Sequence, residues 1–250
     1  MHSVNIYKPN MFIPTYAPIE RTDWRISITE MVLCKGYWSP ALFCQNMVAL
    51  LRRGADGRME TWMSTSPMEL ESQELGCQAA TGHVVVMGMG MGWAVANTAL
   101  NPAVTRVTVV EYDPTVLGII RELGVLEQLP PDVQAKIHIV QGDAYEYRPD
   151  QPVDLLMPDI WLWLMNDTRL AEVGQMAANC QPRQIYFWGQ EMEIARHARA
   201  RNIVLNDAGV RRVIDGFGLP LLVPDGVDYP DLIAKAAEGW MNDRWLPSKF

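Results

Sequence analysis

An apolar run closes in a triple-glycine turn: Val84, Val85, Val86 and Met87 lead into Gly88-Met89-Gly90-Met91-Gly92, and a helical pattern opens at Trp93. A strand, a glycine turn and a helix in so short a span leave few folds open. Three residues without a Cβ let the backbone pass close beneath a ligand at the positive end of a helix. Tight packing of a strand on a helix selects glycine too, so the turn alone does not settle a function.

The rest of the chain supplies the context. Short β-branched runs alternate with helical segments from Gly82 onward, the signature of a parallel sheet with crossover helices. Strands are predicted at Val84 to Val86, Arg106 to Glu111, Lys136 to Val140, Val153 to Met157 and Gln184 to Trp188. Helices fit at Trp93 to Leu100, Pro114 to Leu123, Thr168 to Asn179 and Gln190 to Arg201. Ahead of them, Arg53-Gly54-Ala55-Asp56-Gly57 reads as a hairpin turn between Met47 to Leu51 and Met59 to Met63, although the first arm also fits the end of a helix. Ser66 as cap and Pro67 at the first helical position start a helix running to Ala80. Beyond Asn202, Asn206 to Phe217 and Tyr229 to Trp240 read as helical, while Leu219 to Pro224 is too short to assign. The expected fold is α/β, a Rossmann-like doubly wound, mostly parallel sheet with a small N-terminal cap containing a β-hairpin. Residues 1 to 80 form the cap, 81 to 202 the Rossmann-like domain and 203 to 250 a helical tail or lid.

Composition excludes several classes of function. The 250 residues are 49% hydrophobic and 20% charged, the balance of a folded globular chain. The apolar stretch from Leu155 to Met165 is broken by Pro158 and Asp159 and falls short of the roughly 20 residues of a membrane span. A net charge of -8 opposes nucleic-acid binding. The opening MHSVNIYKPN has no basic segment before an apolar run, so the expectation is a cytoplasmic protein with neither membrane nor nucleic-acid partner. Cys34, Cys44, Cys77 and Cys180 have no paired spacing, and the four histidines form no i, i+4 pair, so no metal site is expected.

The spacing of the turn narrows the ligand. Counting from Gly88 or Gly90, the third small residue of a dinucleotide fingerprint falls on Trp93 or Val95, so NAD fits poorly. No Lys-Ser/Thr pair follows, which sets aside a Walker loop. S-adenosylmethionine is the remaining common tenant. Glu111 ends the second strand 19 residues beyond Gly92, where a carboxylate can accept from both ribose hydroxyls. Asp143, in Gln141-Gly142-Asp143-Ala144, closes the third strand at the same edge, suited to an adenine amino group or to a plain turn.

The stretches VVVMGMGMGW, VTVVEYDP, VQGDA and VDLLMPDIW resemble the class I S-adenosylmethionine-dependent methyltransferases and, more closely, their spermidine synthase-like branch, over roughly Ala49 to Gln190. Val86 stands where ordinary methyltransferases usually place an acid, two residues before the first glycine. Asp154 and Asp159 keep the strand-four spacing of that branch. The resemblance implies that Asp159 lies beside the sulfonium and orients or deprotonates an attacking amine; the alternative is an Asp capping a short helix at Trp161 to Met165. Met91 replaces the glycine-loop acid of aminopropyl transferases and Leu162 their second strand-four acid, which argues against polyamine synthesis.

Aromatic residues at the same edge, Trp161 and Trp188 above all, would attract a sulfonium and exclude water, or simply pack. Gln190 and Glu69 complete the expected substrate pocket, with Glu71 and Gln73 beside Glu69. The leading expectation is methyl transfer to a small amine or amino-acid-like acceptor, by a chain whose branch commonly forms homodimers. The alternatives are attack on the γ-carbon of the cofactor, by cyclisation of its own arm or aminopropyl-type transfer with release of methylthioadenosine, and a cofactor-binding protein without catalysis.

Overall fold

The computed structural model describes residues 5 to 241; residues 1 to 4 of the expected cap and 242 to 250 of the expected tail lie outside the described residues. The N-terminal part is a four-stranded antiparallel sheet of β1 (Ile19–Glu20), β2 (Trp24–Cys34), β3 (Leu42–Arg53) and β4 (Met59–Ser64), in that order. The predicted hairpin arms lie inside β3 and β4, so the first arm is strand and not helix. Gly54 and Asp56 make the turn between them, the Gly54 amide donating to the Arg58 carbonyl at 2.7 Å and the Asp56 carboxylate accepting from the Arg58 amide at 2.9 Å. The long partner strand β2 has no counterpart in the sequence reading. Its first half does alternate, Trp24, Ile26 and Ile28 with Arg25, Ser27 and Thr29, a strand signal the reading passed over; past Ile26 the side chains are exposed or half-buried on both faces.

Helix α1 (Pro67–Ala79) follows, capped by Ser66, which accepts from the Glu69 amide. It is buried along most of its length because it joins two layers. Glu71 accepts the amides of Trp38 and Ser39 from the β2 to β3 connection, while the Ser72 carbonyl accepts from Tyr186 beneath it.

The second sheet is parallel throughout. In chain order its elements are β5 (Gly82–Met87), α2 (Trp93–Leu100), β6 (Val104–Glu111), α3 (Pro114–Glu122), α4 (Pro131–Gln134), β7 (Ile137–Gln141) and β8 (Leu155–Pro158). Then come α5 (Arg169–Cys180), β9 (Gln184–Ile185), α6 (Gln190–Ala200), α7 (Asp207–Asp215) and α8 (Tyr229–Trp240). The strand order β7-β6-β5-β8-β9 makes this an α/β, Rossmann-like sheet whose topological switch falls between β5 and β8. Val84 to Met87 are buried on both faces, as a central parallel strand requires.

At the sheet edge the assigned strand β9 is Gln184–Ile185, and the expected run to Trp188 continues it: the Tyr186 and Trp188 amides donate to the Leu156 and Pro158 carbonyls of β8 at 2.9 and 3.0 Å before the chain turns at Gly189 into α6. The segment left unassigned after α7 places Leu221 beside Ile185 as a parallel bridge, extending the sheet edge. Among the described residues no helix is long and apolar enough to cross a membrane.

One buried carboxylate ties the layers together. Glu191 of α6 accepts from Tyr186 at 3.0 Å, from Tyr229 of α8 at 2.9 Å and from Tyr37 of the cap connection at 3.1 Å. Its removal would strip the buried Tyr37 and Tyr229 hydroxyls of their acceptor, while Tyr186 keeps the Ser72 carbonyl. Glu191→Ala is expected to destabilise the fold by about 3 kcal/mol or more, read from the urea midpoint, because each unsatisfied buried group costs roughly 1 to 3 kcal/mol. An unchanged midpoint would refute this account of how cap and body are joined.

Candidate functional site

The carboxyl ends of the parallel strands deliver the glycine turn, Glu111, Asp143 and Asp159 to one edge of the sheet. Gly88 takes a φ of +102°, and a Cβ there would stand 2.3 Å from the Asp159 carbonyl oxygen, so only glycine lets β5 and β8 end so close together. Gly90, at φ +50°, lies against Met63: a Cβ would meet its sulfur at 2.2 Å, and that sulfur stands 2.9 Å from the Met91 amide. Gly92 forms the start of α2 and packs near Val125, set back from the cavities described next.

An outer cavity of about 340 Å³ opens over the turn, lined by Gly88, Gly90, Glu111, Asp143, Tyr145 and Asp159. Glu111 accepts the Met89 amide through Oε2 and the Asp113 amide through Oε1, both at 2.8 Å, which fixes the carboxylate and leaves a lone pair on each oxygen. Asp143 accepts the Tyr145 amide at 2.8 Å through Oδ1. The cap supplies the roof: Trp24 donates to Asp113 at 2.9 Å, Trp62 stacks edge-on against Trp24, and the Arg52 guanidinium lies over both rings. A turn whose Cβ-free backbone borders the cavity, with two carboxylates at neighbouring strand ends, fits a nucleoside carrying an amino-acid arm.

A smaller inner chamber of about 20 Å³ lies behind the turn, lined by Met63, Glu69, Gln73, Asp159, Trp161 and Trp188. The Gln73 amide donates to Asp159 Oδ2 at 2.9 Å. Desolvation pushes the Asp159 carboxyl up to about 7, against the lowering pull of Arg169 and of the Gln73 hydrogen bond. Glu69 is buried and also held well above the usual carboxylate range, by burial and then by the charge of Asp159. Two acids and three indole rings, Trp62 included, therefore enclose a space the size of one water molecule.

Residues 162 to 164 form bends, and 161 to 165 contain no helix, so Asp159 caps no helix there. Arg169 accounts for this course. Fully buried at the start of α5, it stacks on the Trp161 ring at 3.8 Å and donates to the carbonyls of Trp188 at 2.9 Å and Trp163 at 2.6 Å. Trp188 in turn donates to Ser72 Oγ at 3.0 Å, which locks the chamber wall to α1. Gln190 was expected in the pocket but lines neither cavity; its amide donates to the Leu222 carbonyl and to Tyr229, each at 2.9 Å, in the packing of α6 against α8. Met63, Arg169 and the Tyr16 hydroxyl, which donates to the Met91 carbonyl at 2.8 Å, escaped the sequence reading because a Met near a strand end, an Arg in a first helical turn and a Tyr in a loop carry no pattern. Among the described residues no group of three His, Cys, Asp or Glu side chains is placed to hold a metal ion.

No protein-family model matches the chain, and no curated protein matches it. Among solved structures it is similar to the glycopeptide N-methyltransferase MtfA complexed with S-adenosyl-L-homocysteine, at 25% identity over 35% of this chain and 34% of that one, with a TM-score of 0.30. It is also similar to the methyltransferase domain of bacterial CtHen1, at 17% identity over 46% of this chain and 64% of that one, with a TM-score of 0.36. A third is the mitomycin 7-O-methyltransferase MmcR, at 24% identity over 45% of this chain and 34% of that one, with a TM-score of 0.33. The chain thus spans less than two thirds of each of these proteins. Likenesses of that extent leave the chemistry to be argued from the site itself.

The raised acid makes a prediction about stability. With a folded pKa near 7 and an unfolded value near 3.9, Asp159 binds a proton in the folded state that the unfolded chain has released. Its contribution to stability is therefore favourable below pH 4 and is lost as pH rises towards 7, with a slope of at most about 1.4 kcal/mol per pH unit. Urea titrations from pH 4 to 8 should show that decline weakened in Asp159→Asn; an identical profile in both proteins would mean Asp159 titrates as an ordinary surface acid.

Proposed function

We propose that the protein is an S-adenosylmethionine-dependent transferase that moves a methyl group onto a small amine or amino-acid-like acceptor, with Asp159 as the general base. One observation carries this reading: Asp159 meets the glycine turn, borders both cavities and has a carboxyl tuned to about 7. A base poised near neutrality is the form that removes a proton from an ammonium group most effectively.

Glu111 would hold the ribose hydroxyls, Asp143 the adenine amino group, and the backbone at Gly88 and Gly90 the amino-acid arm. That cofactor supplies an electrophilic carbon on a sulfonium whose neutral thioether departs unaided, so the chain needs no acid for the leaving group. Asp159 accepts the proton of the incoming ammonium and holds the nitrogen in line, while Gln73 fixes the carboxylate from behind. Trp161 and Trp188 exclude water from the chamber and present aromatic surface to cationic charge. Glu69, held well above the usual carboxylate range, lines the chamber as a neutral carboxyl whose carbonyl oxygen can accept a hydrogen bond from the acceptor's amine.

A second reading has one observation in its favour. The inner chamber is too small for a separate acceptor as it stands, which would suit displacement by the cofactor's own amine with release of methylthioadenosine.

Calorimetry with S-adenosylmethionine should show binding to the unmodified protein, and Glu111→Ala should weaken it by about 1.5 to 3 kcal/mol, the range for hydrogen bonds to a charged group. Asp159→Asn should retain that affinity while turnover falls by about 100-fold and the rise of kcat through pH 7 disappears. Mass spectrometry of the nucleoside product separates the readings. S-adenosylhomocysteine formed only with an amine present supports methyl transfer, whereas methylthioadenosine formed without one replaces it by the second reading.

A further inference from the structure

A third cavity, of about 460 Å³, lies between the N-terminal segment and the cap sheet, outside the site described so far. Its volume falls within the range of small-molecule sites, and its lining is of the usual kind, mostly apolar with a few uncharged polar groups. Tyr7, Ile13, Tyr16, Val48 and Leu70 supply the apolar surface, and Thr15, Gln45, Asn46 and Thr65 the polar groups. None of the described lining residues carries a formal charge. The nearest acids that act on it, Glu71 and Glu74, raise the Tyr7 pKa, after burial, but are already engaged, Glu71 by Trp38 and Ser39 and Glu74 by Asn10 and Gln78.

Met63 lines the inner chamber and is joined to the wall of this cavity through the Met91 backbone. Tyr16, on the cavity side, donates to the Met91 carbonyl at 2.8 Å, and the amide of the same residue meets the Met63 sulfur at 2.9 Å. Along α1, Leu70 lines the cavity while its neighbour Glu69 lines the chamber; Thr65, two residues past Met63, lines the cavity again. An unbranched methionine with three rotatable bonds is the side chain best able to swing aside at such a junction.

We propose that the 460 Å³ cavity binds the acceptor, a monoamine whose uncharged tail occupies it while its nitrogen passes Met63 to reach Glu69 and Asp159. The proposal rests on the amine-transfer reading above and adds the acceptor's class to it. The chamber, at about 20 Å³, has room for about one water, so the body of an acceptor has to lie outside it. A second ammonium at the far end of the acceptor would meet no carboxylate among the lining residues, whereas an alkyl tail would be matched by Tyr7, Ile13, Tyr16, Val48 and Leu70, which favours a monoamine.

Initial rates of S-adenosylhomocysteine formation with methylamine, n-hexylamine and 1,6-diaminohexane test this. The full chain should prefer hexylamine to the diamine by 10-fold or more in kcat/KM. Ile28→Trp and Gln45→Trp, which fill the cavity from half-exposed or exposed strand positions, should each lower the ratio of hexylamine to methylamine kcat/KM by 10-fold or more. Preference for the diamine, or an unchanged ratio in both folded variants, would overturn the cavity assignment while leaving amine transfer intact. Cofactor binding with no amine turned over, or methylthioadenosine as the product, would overturn the amine-transfer reading and the acceptor class with it.

Discussion

The backbone contact between Gly88 and Asp159 is the constraint on which the site depends. The parallel pairing of Met87 with Pro158 brings the ends of β5 and β8 together, and the Asp159 amide donates to the Met87 carbonyl at 2.9 Å. With the next carbonyl 2.3 Å from where a Cβ at residue 88 would stand, any side chain there forces the two strand ends apart. Asp159 would then leave the turn it borders. Gly88 thus serves the meeting of two strands before it serves any ligand, and Gly90 is the position that keeps the turn open to the cavity.

Bringing those ends together also sets the chemistry. Asp159 and Glu69 share an enclosed space in which desolvation raises both, and among the described residues the Glu69 carboxylate accepts no hydrogen bond. Glu191 offers the contrast. It is equally buried, yet three tyrosine hydroxyls satisfy it, and it fastens cap, sheet and α8 to one another. Stability is concentrated in the fully bonded acid and chemical potential in the under-bonded ones, the division expected where a fold carries a strained site on a rigid frame.

How far the sequence disclosed this follows from where its signals are local. The parallel strands were legible because burial on both faces writes uninterrupted β-branched runs, and the glycine turn because its backbone conformation admits so few residues. Glu111, Asp143 and Asp159 were legible as acids at strand ends, since parallel topology brings such ends together. Of the cap only the β3 to β4 hairpin was legible: past Thr29 β2 loses its apolar alternation and is exposed or half-buried on both faces, so its length depends on pairing with β3. Gln190 misled for a related reason. Its place after the fifth strand suits a cleft, but a tight turn at Gly189, whose Cβ would strike the Leu164 carbonyl, swings the side chain towards α8.

Arg169 completes the electrostatic argument. A buried guanidinium beside a chamber proposed to take an ammonium works against binding unless it does something else. Two consequences of its position offset that cost. Stacked on Trp161 and bonded to the carbonyls of Trp163 and Trp188, it holds the segment after β8 out of a helix and so sets the wall of the chamber. Its charge is also the larger of the two influences that pull the Asp159 carboxyl back down from where desolvation alone would leave it. Without that pull the acid would keep its proton through neutral pH, and a carboxyl that cannot give up its proton cannot serve as a base. The same residue that shapes the site thereby keeps its base within reach of neutral pH.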